Sequence, residues 1–136
     1  MRKIALIFLL MFLSSCAGTG SKTIPDTTFN DKNATTLYIY RTGGYVAGGV
    51  LAGIQVNGVE IAKIGTKEFV QHTVSGKFNI HVYGSGIGGF GMGGERISGA
   101  GKKGSKHYFF IEVDAGLITS SFSIYEVTES TFKQMR

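Results

Sequence analysis

Beyond residue 33 no stretch of 10 to 15 residues keeps a helical period between the apolar runs of this chain. What recurs instead is short runs of aromatic and β-branched residues set between turns that carry glycine, the pattern of strands. Those runs are Thr36 to Arg41 (TLYIYR), Ile54-Gln55-Val56, Val59-Glu60-Ile61, Phe69 to Val74, Phe78 to Tyr83, His107 to Val113 and Ser121 to Val127. Asn57-Gly58, between the second and third, best tolerates the positive φ angles of a type I′ turn and predicts a hairpin. Ser75-Gly76-Lys77 predicts a second hairpin, in which Val74 faces Phe78, His72 faces Ile80 and Val70 faces Val82. Thr128 to Arg136 fits a short capped helix. The expectation is an all-β domain over residues 34–136, a small antiparallel β-sandwich of about seven strands with glycine-rich loops at 42–53 and 84–106.

Within the second loop, residues 84 to 94 (GSGIGGFGMGG) satisfy the dinucleotide-binding pattern G-x-G-x-x-G three times, from Gly84, from Gly86 and from Gly89. That chemistry needs a helix amino terminus to hold the phosphates and an acidic residue on a following strand. The sequel, Glu95 to Gly104 (ERISGAGKKG), has three more glycines and cannot sustain such a helix. No nucleotide is expected here, and no other cofactor.

The amino terminus is an address. Arg2 and Lys3 precede ten apolar residues, Ile4 to Leu13, which as a helix reach about 15 Å and fall short of a hydrocarbon core of roughly 30 Å. Leu13-Ser14-Ser15-Cys16 then resembles the lipobox of bacterial lipoproteins. That resemblance implies a signal peptide over residues 1–15, cleavage between Ser15 and Cys16, and a Cys16 carrying an S-diacylglyceryl group and an N-acyl chain such as palmitate. Cys16 is the only cysteine, so no thiol remains for a disulfide, a nucleophile or a zinc cluster. Residues 16–33, with the only proline, Pro25, read as the lipidated residue and a flexible tether. Ala17 lacks the aspartate that resembles an inner-membrane retention signal, which points to the outer membrane, facing the periplasm. Without Arg2 and Lys3 the 14 basic residues fall to 12 against 9 acidic, too weak an excess for a nucleic-acid partner.

If successive strands simply reverse direction, both glycine-rich loops share one pole of the sandwich. Tyr45, Val50 and Leu51 in the first, and Ile87, Phe90 and Met92 in the second, are isolated apolar residues among the glycines, and Lys102, Lys103 and Lys106 flank the second. Two readings stand: irregular arms packing on each other, or a contact surface for a membrane, a protein or an envelope glycan.

ATTLYIYR at 34 to 41, IQVNGVEIAKI at 54 to 64, FVQHTVSGKFNIHVY at 69 to 83, GSKHYFFIEV at 104 to 113 and the closing SFSIYEV together resemble the bacterial lipoprotein family known as domain of unknown function 2846. The resemblance covers about residues 34 to 129; Ser75-Gly76 stands where that family usually has Pro-Gly. It implies an exported, often lipidated β-sandwich with no established activity and no catalytic residues.

The residues themselves offer no catalytic set. His72 is expected to face inward and His81 outward, so they do not converge on a metal, and His107 starts another strand. The carboxylates are dispersed, and no nucleophile elbow is present. A non-catalytic, lipid-anchored interaction or envelope-maintenance module is therefore expected, the alternative being an envelope glycan-binding protein or hydrolase acting at the pole with Lys102, Lys103 and Lys106.

Overall fold

Along Ala34–Arg41 (β1) burial alternates: Leu37 and Ile39 are wholly enclosed on one side, while Thr36 and Tyr38 face the other. The period of two repeats in Leu51–Val56 (β2), whose Ala52, Ile54 and Val56 are buried, and in Lys77–Ser85 (β5), through Phe78, Ile80 and Val82. Such strands have one apolar face each and must bury it against another sheet. The computed structural model describes residues 34–43, 49–86, 89, 92–115 and 119–135, and in it two four-stranded sheets do this, forming an all-β sandwich.

The first sheet has the order β4-β1-β7-β8 and the second β3-β2-β5-β6, with β3 at Val59–Ile64, β4 at Phe69–Ser75, β6 at Arg96–Ala100, β7 at Lys106–Ala115 and β8 at Ser120–Val127. Between the sheets lie Leu37, Ile39, Ile54, Ile64, Ile80, Val82, Phe109, Ile111, Phe122 and Ile124. A helix, Glu129–Met135 (α1), follows β8; Thr128 caps it, its hydroxyl accepting from the Thr131 amide at 3.2 Å.

The β-sandwich is as expected, and three details of it differ. Eight strands are present among the described residues where about seven were expected; the addition is β6, drawn from the glycine-bearing RISGA. The sandwich is not wholly antiparallel, because β1 and β7 run parallel, with Ile39 opposite Phe109. Ser75-Gly76-Lys77 is not a hairpin: β4 pairs with β1 in one sheet and β5 with β2 and β6 in the other, so this turn crosses between sheets. His72 still faces inward, now because it sits opposite Leu37. The Asn57-Gly58 hairpin is as expected, with φ of 52° and 83°.

Arg41, the last residue of β1, is buried at the upper end of the sandwich. Its Nη1 donates to the Val50 and Ile64 carbonyls, and its guanidinium lies 5.0 Å from the Phe122 ring centre. Burial lowers its pKa and the nearby Glu68 charge opposes that, yet a guanidinium keeps its proton. It joins β1, the start of β2 and the end of β3 at one point.

Candidate ligand-binding face

The outer face of the first sheet is closed. Phe132 of α1 is buried there against Tyr38, Tyr40, Tyr108 and Phe110, with ring centres 5.2 to 6.2 Å apart. The outer face of the second sheet carries no such cover among the described residues, and its side chains are of another kind.

Register builds that face. Glu60 of β3 stands opposite Gln55 of β2, Gln55 opposite His81 of β5, and His81 opposite Arg96 of β6, a row of four polar side chains across the whole sheet. A bulge makes the row compatible with the core: after Gln55 pairs with Glu60 the register shifts, so Ile54 meets Ala62, and Ala62 and Ile64 both turn inward. The extra residue is Ile61: it takes up the break in the period of two between Glu60, opposite Gln55, and the inward Ala62.

In the next row Gly53 stands opposite Tyr83. A Cβ on Gly53 would lie 2.4 Å from the tyrosine ring, so glycine is what lets the ring lie across β2. The Tyr83 hydroxyl donates to the Glu60 carboxylate, which is also 3.7 Å from the Lys63 ammonium. Burial first, then the hydrogen bond and charge of Glu60, push the Tyr83 hydroxyl up to about 12, against an opposing hydrogen bond with Gln55. The His81 ring is 5.5 Å from Tyr83, and its Nδ1 is shielded with no hydrogen-bond partner among the described residues. Burial and then the Arg96 charge lower the His81 pKa, leaving a neutral imidazole at neutral pH. The result is a flat surface with an aromatic ring, a neutral imidazole, an amide, a carboxylate and a guanidinium, which can stack on an apolar ring face and exchange hydrogen bonds around it.

The residues singled out from the sequence go elsewhere. Val50 is buried in the core; Met92 packs against it while only partly buried, and Leu51 is half-buried at the start of β2. Tyr45, Ile87, Phe90 and Cys16, with the Ser15 junction, lie outside the described residues. The glycine-rich segments do meet at the upper end, where Leu51 pairs with Ser85 and Ala52 with Gly84. Gly94 packs directly on β5: a Cβ there would stand 1.8 Å from the Val82 carbonyl oxygen. Met92 to Glu95 then joins β5 to β8, the Glu95 carbonyl accepting from Val82, its carboxylate from Ile124, and the Gly93 carbonyl from Phe122, at 3.0 Å each. No phosphate-holding helix follows; the next element is β6.

Lys102, Lys103 and Lys106 do not share that pole. Strand β6 runs back down the sheet, pairing Ala100 with Lys77, so residues 101–106 lie at the lower end beside Ala34. The reversal that β6 adds is what the simple count of directions lacked.

His107 faces the interior at the lower end, near Phe78 and Phe109, with Nδ1 2.7 Å from Glu126. His72, His81 and His107 thus occupy three separate places, and no group of three or more histidine, cysteine, aspartate or glutamate residues placed to hold a metal occurs among the described residues. No described helix is long and apolar enough to cross a membrane. The Gln55, Glu60, His81, Tyr83 and Arg96 face was not legible as a site; its signal is a glycine placed opposite an aromatic residue on a neighbouring strand.

No family model matches the chain, and no curated protein matches it. An NMR structure of a protein from Eubacterium rectale is similar at 19% identity and a TM-score of 0.42, over 76% of this chain and 99% of that one. A likeness of that size carries no functional argument.

Proposed function

We propose that this chain is a lipid-anchored protein of the bacterial envelope, related to domain of unknown function 2846, whose sandwich acts as a non-catalytic binding module for an envelope glycan. The observation that carries the binding role is the outer face of the second sheet, where Tyr83 lies across Gly53 beside Gln55, Glu60, His81 and Arg96. A sugar has an apolar ring face and a rim of hydroxyls, which an aromatic ring bordered by polar side chains complements. The non-catalytic reading rests on Glu60, which is held by Tyr83 and Lys63, whereas glycoside hydrolysis usually needs two carboxylates about 5 to 9 Å apart. The anchor rests on Leu13-Ser14-Ser15-Cys16, and Ala17 favours the outer membrane, facing the periplasm.

Chemical-shift titration of the chain lacking residues 1–16 with peptidoglycan and lipopolysaccharide fragments tests the binding role. Shifts centred on Gln55, His81, Tyr83 and Arg96 support it; no shift with any glycan overturns it in favour of a protein partner. For the anchor, Cys16→Ala is expected to release the chain from membranes and to abolish acyl mass on the amino-terminal peptide.

A further inference from the structure

The lower end of the sandwich collects turns that are remote in sequence. The Gly101 amide donates to the Gly76 carbonyl at 2.8 Å, and the Gly104 amide to the Ala34 carbonyl at 2.9 Å. Asn57 reaches the Lys77 carbonyl at 3.4 Å, and Thr35, buried beside them, bonds Ser105 at 2.8 Å and the Lys102 carbonyl at 3.1 Å. These bonds fix Lys77, Lys102 and Lys103 around the residue where the chain enters the domain, with Lys106 one strand position from Thr36 across the β1–β7 pair. All four lysines are exposed.

Lys106 lies close enough to Glu129 for the two charges to interact, but the charge of the other three is not cancelled locally. Among the described residues no carboxylate lies within ion-pair distance of Lys77, Lys102 or Lys103. The acids at this end are engaged, Glu126 with His107 at 2.7 Å and Glu129 with Lys133 at 2.7 Å. Two independent features therefore coincide: an uncompensated basic pole, and the root of the 33 residues that precede Ala34, whose sequence contains the lipobox cysteine. From Cys16 to Ala34 that segment has two lysines and two aspartates, Lys22, Lys32, Asp26 and Asp31, and so adds no net charge.

We propose that this pole is a docking surface for anionic phospholipid headgroups, seating the sandwich on its lower end against the leaflet that holds the anchor and turning the Tyr83 face sideways along the membrane. The proposal rests on the lipid-anchor reading. An acyl anchor holds the basic pole within a tether's length of the bilayer, where each lysine near an anionic surface adds to the attraction and salt screens it.

The experiment reconstitutes the purified, lipidated full chain into vesicles of phosphatidylcholine alone and into vesicles of which about a third is phosphatidylglycerol, and follows amide hydrogen exchange. Flotation with both vesicle types, together with exchange at residues 101–106 slowed about tenfold on the anionic vesicles only, is expected. The slowing should vanish in K102E/K103E, whose thermal unfolding should match the parent, while Gly65 to Glu68 at the opposite pole exchange equally on both. Equal exchange at 101–106 on both vesicle types, in a chain that floats with both, overturns the docking and leaves the anchor standing. Slowing on neutral vesicles by free glycerol phosphate assigns the pole to a soluble phosphate and overturns it likewise. A chain that floats with neither vesicle and carries no acyl mass overturns the anchor, and the docking with it.

Discussion

The two outer faces of this sandwich are built from the same strand geometry and reach opposite ends. On the first sheet Tyr38, Tyr40, Tyr108 and Phe110 form an apolar surface that α1 covers through Phe132. On the second, Gln55, Glu60, His81, Tyr83 and Arg96 make a surface whose groups hold each other without a covering element among the described residues. A tyrosine–glutamate pair occurs on each: Tyr125 with Glu112 at 2.6 Å on the first, Tyr83 with Glu60 on the second. Of these two tyrosines, Tyr83 has its ring over a glycine. The lesson is that aromatic residues on a sheet face do not by themselves define a site; what surrounds them decides whether they become core or platform.

The largest effect is expected at Phe132. Phe132→Ala empties the centre of the covered face, and a loss of about 3 to 5 kcal/mol in urea unfolding is expected. A loss under about 1 kcal/mol would mean that α1 lies on the sheet without holding it.

Gly53→Ala tests the open face. The added Cβ meets the far end of the Tyr83 side chain, which can swing away, so stability should change by no more than about 1 kcal/mol. Binding of the glycan fragments should fall about tenfold or more, because the ring leaves its plane. Equal losses of stability at Gly53 and at Phe132 would erase the distinction between platform and core.

Glu60→Gln sharpens it further. Removing the carboxylate takes away a hydrogen bond and a charge that hold the Tyr83 proton, so its titration should move down from about 12 towards the ordinary 10, with burial still holding it above. Ultraviolet difference titration against the parent isolates this tyrosine from Tyr108 and Tyr125, which are also pushed up to about 12. An unchanged titration would show that burial alone sets it.

The smallest effect concerns acid. Burial lowers the His81 and His72 pKa values in the folded chain, so the unfolded chain takes up these protons first on acidification. Stability present above the ordinary value of 6.5 should therefore decline as pH falls through that value towards the folded ones. His81→Gln should lessen the drop in urea midpoint between about pH 7.5 and about pH 5, while a steeper drop would reverse the sign assigned to this imidazole.

Much of the fold was legible because alternation survives whichever strand a strand pairs with. Phe78, Ile80 and Val82 read as one face from the polar residues between them, and the Asn57-Gly58 turn from its backbone preference. Partner choice was not legible. A turn as short as Ser75-Gly76-Lys77 reads as a hairpin, and nothing local reveals that β4 and β5 belong to different sheets. Arg96-Ile97-Ser98-Gly99-Ala100 has one large apolar residue and a glycine under the Phe78 ring, too little to announce a strand; its omission moved Lys102, Lys103 and Lys106 to the wrong pole. The open face was hidden for the same reason: the Asn57-Gly58 hairpin brings Gln55 to Glu60, but His81 and Arg96 join them only through the order β3-β2-β5-β6.

The position of β1 inside its sheet, between β4 and β7, also has a mechanical meaning. A pull on the segment ahead of Ala34, resisted by a ligand held on the second sheet, would act along a strand bonded on both flanks. The pairs from Ala34–Ser75 to Tyr40–Phe69 and from Thr36–Lys106 to Arg41–Ile111 would then share the load in shear, on both flanks of β1, where an edge strand would carry it on one flank only. A sandwich entered in this way resists tension at its amino terminus with twice the strand pairing that entry through an edge strand would give.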